Sequence, residues 1–185
     1  MTNALENALL LIDKANADDP LNGVELLYSQ RMLETLQSFK ADASEPLTLA
    51  CYAQHVCRWK LVRTDYLAGL EGYLKWRTDL AKLHASILKD AMSQSGYSNG
   101  DIKRATNIIQ KRKLKVDPET QTLEDISCLV FLTHYFDSFA SKHSDEKIID
   151  IVQKTWGKMS EQGHQSALAL VLPSHLQTLV GKALA

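Results

Sequence analysis

"EGYLKWRTDLAKLHASILKDAMS", residues 71–93, decides the fold class. Tyr73, Trp76, Leu80, Leu83 and Ile87 recur at steps of three and four, which draws one apolar stripe along a helix and does not fit the alternation of a strand. The spacing predicts a long amphipathic helix over about 71–93, stopped by "SQSGYSNGD".

The same period extends in both directions. Toward the N-terminus it predicts helices from Asn3 to about Asn16, from Pro20 to about Phe39, and from Ser44 to about Trp59, with Ser44 as N-cap and Pro46 in the first turn. Lys60 to Leu70 reads as a loop. Toward the C-terminus, Ser98 and Asp101 resemble a capping box for a helix ending near Arg112. Lys113 to Gln121 reads as a polar loop, and Thr122 to about Ala140 as an apolar helix. Ser144 caps a helix carrying Ile148, Ile151, Val152 and Trp156, and Gly163 and Pro173 bound two short terminal helices. The expectation is an all-α, compact helical bundle formed as a single domain over 1–185.

Composition agrees with a globular protein. The 185 residues are 45% hydrophobic and 23% charged, with a net charge of −1. A near-neutral chain has no global field for nucleic acid or anionic lipid, so neither is expected as a partner. No apolar run is long enough to cross a bilayer, and the N-terminus lacks the basic region of a signal peptide. Cys51, Cys57 and Cys128 form no C-x-x-C pair. They read as reduced, buried thiols of a cytoplasmic protein. Pairing into a homodimer through helix faces is left open.

Three polar groups interrupt apolar faces. His55 lies between Cys51 and Trp59, His84 lies beside Leu80, Leu83 and Ile87, and Asp125 shares a face with Leu129, Leu132 and Phe136. A buried carboxylate is costly unless paired or coordinated. Asp125 therefore reads either as a ligand or as a structural acid bonded to a tyrosine or to Arg58. Each histidine reads either as a ligand or as a hydrogen-bonded core residue. Arg58, Lys60 and Arg63 follow His55, and Lys75, Arg77 and Lys82 share the helix of His84. Arginine suits bidentate phosphate binding. Arg58, Arg63, Arg77 and Lys82 are thus expected to hold the phosphate of a small molecule or nucleotide, with Trp59 available to stack on a base. The basic run "KRKLK", 111–115, complements a helix C-terminus and needs no ligand.

The order of these segments resembles the HD-domain phosphohydrolase superfamily. "LLYSQRMLETL" (26–36) is similar to its first helix, "LTLACYAQHV" (47–56) to the helix ending in the His-Asp doublet, residues 73–113 to the middle section, and "TLEDISCLVFL" (122–132) to the terminal Asp segment. The resemblance implies a divalent metal ion held by His55, His84 and Asp125, with Glu124 orienting or deprotonating a metal-bound water. The motif is incomplete: Tyr28, Ser29 and Gln30 stand where the first histidine would be, and Val56 replaces the doublet's Asp. Two expectations follow, a metal-dependent phosphohydrolase of a phosphorylated small molecule or nucleotide, and a non-catalytic nucleotide- or anion-binding regulatory module.

Across nearly the whole chain, "QHVCRWKLVR", "GYLKWR", "TLEDISCLVFLTHY" and "KTWGKMSEQGHQSALAL" resemble the family called domain of unknown function 4202, found in bacteria and fungi. Some members carry a label as glutamyl-tRNA synthetase. "KMSEQG" is a poor match to the KMSKS signature of such enzymes and no HIGH-like string occurs, so that activity is not expected here.

Overall fold

A computed structural model describes residues 3–185. Among them there is no strand. Ten helices follow in order: α1 (Ala4–Asn16), α2 (Val24–Phe39), α3 (Glu45–Tyr52), α4 (Gly69–Gln94), α5 (Asn99–Ile109), α6 (Pro118–His134), α7 (Phe136–Ala140), α8 (Asp145–Trp156), α9 (Glu161–Leu168) and α10 (Ser174–Leu184). The all-α expectation holds. The chain divides into two compact units, one ending at Lys113 and one spanning Leu114–Ala185.

Local chemistry sets most helix starts. Asn3 and Glu6 close a capping box on α1, and Ser44, Ser98 and Ser144 each accept a backbone N–H at the start of α3, α5 and α8. Asp117 caps α6 with Pro118 in its first turn, so that helix begins a turn earlier than the apolar pattern suggests.

In the first unit, α4 lies against α1 and α5, while α3 packs on α2 and α5. The buried line of α4 runs through Leu80, His84, Leu88, Ala91 and Met92. Tyr73, expected on the inner stripe, is 43% exposed. The face is set by contact with α1 and α5, and it carries His84 into the core with the leucines. Met32, Leu36, Leu47, Leu49 and Ile108 complete this core, each buried side chain contributing about 1.5–3 kcal/mol.

The third helix stops at Tyr52, well short of Trp59. The backbone turns over 53–57, and Cys57 takes the left-handed conformation at φ 53°. Its N–H donates to Asn16 Oδ1 at 2.9 Å, and its thiol reaches Ala15 O at 3.1 Å. The end of α1 thus interrupts α3, and His55 sits in the resulting turn. Short 3-10 turns at Arg58–Lys60 and Arg63–Asp65 lead to α4.

In the second unit α6 packs on α7 and α9, and α8 packs on α10. Leu123, Ile126, Val130 and Phe136 are buried there. No helix is long and apolar enough to cross a membrane among the described residues.

Candidate functional site

The first unit contains a cavity of about 400 Å³. Its walls come from the turn after α3, the middle of α4 and the end of α5. Among the described residues lining it, five are cationic: Arg58, Arg77, Lys82, Lys111 and Arg112. None of them is Asp, Glu, Phe, Tyr or Trp. Gln54, His55 and His84 supply the remaining hydrogen-bonding surface together with Thr78 and Gln110.

The backbone brings the last cations inward. α5 ends at Ile109, and Lys111 adopts φ 55°, letting its N–H reach Ile108 O and the N–H of Arg112 reach Asn107 O. A left-handed residue closing a helix is usually glycine. Here it is a lysine, and Lys113 repeats the conformation at φ 59°.

His55 is held on two sides. Its ring stacks on Tyr28 at 3.6 Å and 10°, and its Nδ1 lies 3.5 Å from Glu25 Oε2. The His84 ring is close by, ring centroid to ring centroid 6.2 Å. Burial pushes both imidazoles below the usual histidine range, reinforced by the guanidinium of Arg58 and, further out, that of Arg77; His84 falls to about 3. Both rings are therefore neutral at neutral pH, and the Glu25–His55 contact is not a full ion pair. Glu25 is driven the other way. Burial raises its carboxyl to about 7, against the pull of Arg58 and with help from Asp19, whose carboxylate accepts the Glu25 N–H at 3.1 Å.

Arg58 stands over the Trp76 ring, its Cζ 4.8 Å from the centroid. Trp76 is fixed in turn by donating from Nε1 to Leu61 O at 2.8 Å. Burial and the neighbouring Arg77 lower the pKa of Arg58 below its ordinary value, though a guanidinium stays charged at any physiological pH. Two like charges are thus held together at the wall of one cavity.

The expected site residues separate into three groups. His55, His84, Arg58, Arg77 and Lys82 meet around the cavity, with Lys82 also 3.8 Å from Asp79. Arg63 and Trp59 do not line it. Arg63 donates to Tyr66 O, Leu67 O and Gly69 O, and so pins the loop before α4. Glu124 and Asp125 belong to the second unit. Asp125, 1% exposed, accepts from Ser160 N at 2.7 Å, Ser160 Oγ at 2.6 Å and Gln121 Nε2 at 3.1 Å. A Cβ on Gly163 would lie 2.7 Å from Asp125 Oδ1. Asp125 thus fastens the start of α9 to α6, the structural role with serine and glutamine in place of tyrosine or arginine.

The donors do not suit a metal ion. Among the described residues, no three His, Cys, Asp or Glu side chains are grouped to hold one. His55 and His84 face guanidinium and ammonium groups, whose charge repels a divalent cation. The three cysteines are buried thiols, and none forms a disulfide.

Sequence reasoning missed Glu25 and Tyr28 as partners of His55. A signal existed: Glu25, Tyr28, Ser29, Met32 and Leu36 form one buried stripe of α2 at helical spacing, so a glutamate stood on a core face. Of the residues at the place of the absent first histidine, Tyr28 adjoins His55 as a stacked ring, and Glu25, one turn earlier on α2, brings a carboxyl group to it.

No curated protein and no solved structure matches the chain. The family model described as "Domain of unknown function (DUF4202)" matches residues 6–180, and the chain belongs to that family.

Proposed function

We propose that the protein binds a compact, multiply charged phosphorylated small molecule in the cavity of its first unit, without a divalent ion. One observation carries this reading: five cationic side chains and no carboxylate line the cavity among the described residues. Holding like charges together in a part-buried wall is unfavourable until an anion enters. Arginines supply paired donors for phosphate oxygens, and the lysines supply point charges. An aromatic stacking surface is missing from the described lining, which favours a phosphorylated carrier other than a nucleotide. Three buried thiols outside any disulfide accord with a cytoplasmic location.

The HD-like resemblance implies instead a metal-dependent phosphohydrolase. That activity would require an ion among donors that are neutral imidazoles flanked by cations, so the metal-free binding module is the better-supported alternative. A thermal-shift panel separates the two. Inorganic phosphate, pyrophosphate and phosphosugars should raise Tm in the presence of EDTA. Failure of all of them to do so, or stabilisation only with added Zn or Mn, would count against the proposal.

A further inference from the structure

We propose that the cavity does more than hold phosphate: His55 takes the phosphoryl group of an acyl phosphate or phosphoanhydride onto Nε2 and passes it to water. This inference rests on the phosphate-binding reading of the same site.

Four observations converge on His55. Among the described lining groups it alone offers an available nucleophile. Thr78 already donates its hydroxyl to Leu74 O at 2.9 Å, and an ammonium group has no lone pair with which to attack. The Nε2 of His84 is buried without a hydrogen-bond partner, and His84 is 4% exposed. His55 lines the cavity with 22% of its side chain exposed. Secondly, its ring is oriented before any ligand arrives, by Tyr28 on one face and by Glu25 at Nδ1. In its ionised form, the Glu25 carboxylate at Nδ1 favours the tautomer with the proton on that atom, which leaves the Nε2 lone pair available. Thirdly, burial keeps the ring neutral, and the cations that reinforce it also disfavour its service as a proton acceptor, since an imidazolium would face Arg58 and Arg77. Attack on phosphorus brings negative phosphoryl oxygens to those same cations. Finally, no carboxylic acid lines the cavity among the described residues to protonate a leaving alkoxide, so the leaving group must depart as a stable anion.

The step balances as follows. The Nε2 lone pair forms an N–P bond. The P–O bond to the leaving group breaks with its electron pair going to that oxygen, which departs as carboxylate or phosphate and needs no proton. Nδ1 keeps its proton, and the positive charge of the phosphorylated ring faces the Glu25 carboxylate. Water then attacks phosphorus, the N–P pair returns to Nε2, and the protons of the water pass to the product phosphate and solvent. Glu25 is a positioning residue in this scheme and His55 the catalytic one.

The full chain is incubated with acetyl phosphate in EDTA at neutral pH and read by intact mass and by peptide mapping under neutral conditions. The expected result is one acid-labile phosphoryl group on His55, absent in His55→Asn. Glu25→Gln should slow its appearance by about tenfold or more while pyrophosphate affinity is retained, and Glu25→Asp should recover part of the rate. The Glu25 pair carries the test if His55→Asn does not fold. A chain that binds pyrophosphate yet gains no phosphoryl group, or gains it on a lysine or on His84, overturns the inference and leaves the phosphate site standing. A chain that binds no pyrophosphate removes both.

Discussion

Glu25 Oε2 lies 3.5 Å from His55 Nδ1, joining α2 to the turn that follows α3. Both groups titrate away from their ordinary values, in opposite senses. Glu25 is raised from 4.5 to about 7, chiefly by burial. Between those values the folded chain retains a proton that the unfolded chain has released. Its contribution to stability is therefore fully present below about pH 4.5 and is lost as pH rises through 7. Glu25→Gln removes that titration. Relative to the native chain, its stability should rise between about pH 5 and about pH 8, by up to about 3 kcal/mol. Urea unfolding at the two pH values checks this, and a constant difference between the two proteins contradicts it.

His84 runs the other way. Its folded value of about 3 lies below 6.5, again mainly through burial, with Arg58 and Arg77 adding to it. The unfolded chain takes up the proton first as pH falls, so this contribution is present above 6.5 and is lost as pH falls through 3. His84→Gln should flatten the acid limb of the stability profile. Acid unfolding followed by circular dichroism reads the change, and an unaltered acid midpoint is the contrary result.

Arg58 and Arg63, both expected to clamp phosphate, should behave differently. Arg58→Ala should weaken pyrophosphate binding by about tenfold or more, the worth of one charge-assisted hydrogen bond. Arg63→Ala should leave affinity unchanged and lower Tm, because it releases the carbonyls of Tyr66, Leu67 and Gly69. Calorimetric titration beside thermal melts distinguishes them. Equal losses of affinity in the two variants would mean that Arg63 also reaches the ligand.

Asp125→Ala should cost about 2–4 kcal/mol, since it leaves the Ser160 N–H and hydroxyl at the start of α9 without their acceptor. Pyrophosphate affinity should not change. Denaturant melts and titration on the same sample test this. Lost affinity in a folded Asp125→Ala variant would restore Asp125 to the binding site.

Gly72 makes a further point of the loop before α4. A Cβ there would lie 1.8 Å from Leu67 O, a backbone atom that cannot rotate aside. Gly72→Ala should destabilise the first unit by at least about 2 kcal/mol, seen as a lowered Tm. A neutral effect would mean that the loop moves freely from the helix.

The features legible in the sequence were local ones. Caps at Ser44, Ser98 and Ser144 lie within a few residues of the groups they satisfy, and the helical period of α4 was visible, although its first expected inward residue, Tyr73, is exposed. His84 could be placed on an apolar face because Leu80, Leu83 and Ile87 stand within a turn of it. The break after Tyr52 was not legible, because Asn16 and Ala15 cause it from the end of α1, about forty residues earlier. Asp125 could be recognised as a buried acid in need of a partner, but its partner Ser160 is 35 residues away. Arg63 and Arg58 look alike in the sequence. Only the carbonyls around the first and the Trp76 ring beneath the second separate a loop fastener from a cavity cation.

Calorimetric titration of pyrophosphate into the full chain, with EDTA present and at two salt concentrations, tests the central claim most directly. Saturable binding near one per chain, weakened by added salt and weakened again by Arg58→Ala and Arg77→Ala, is the predicted result. Absence of heat, or binding that appears only when a divalent metal is supplied, contradicts it.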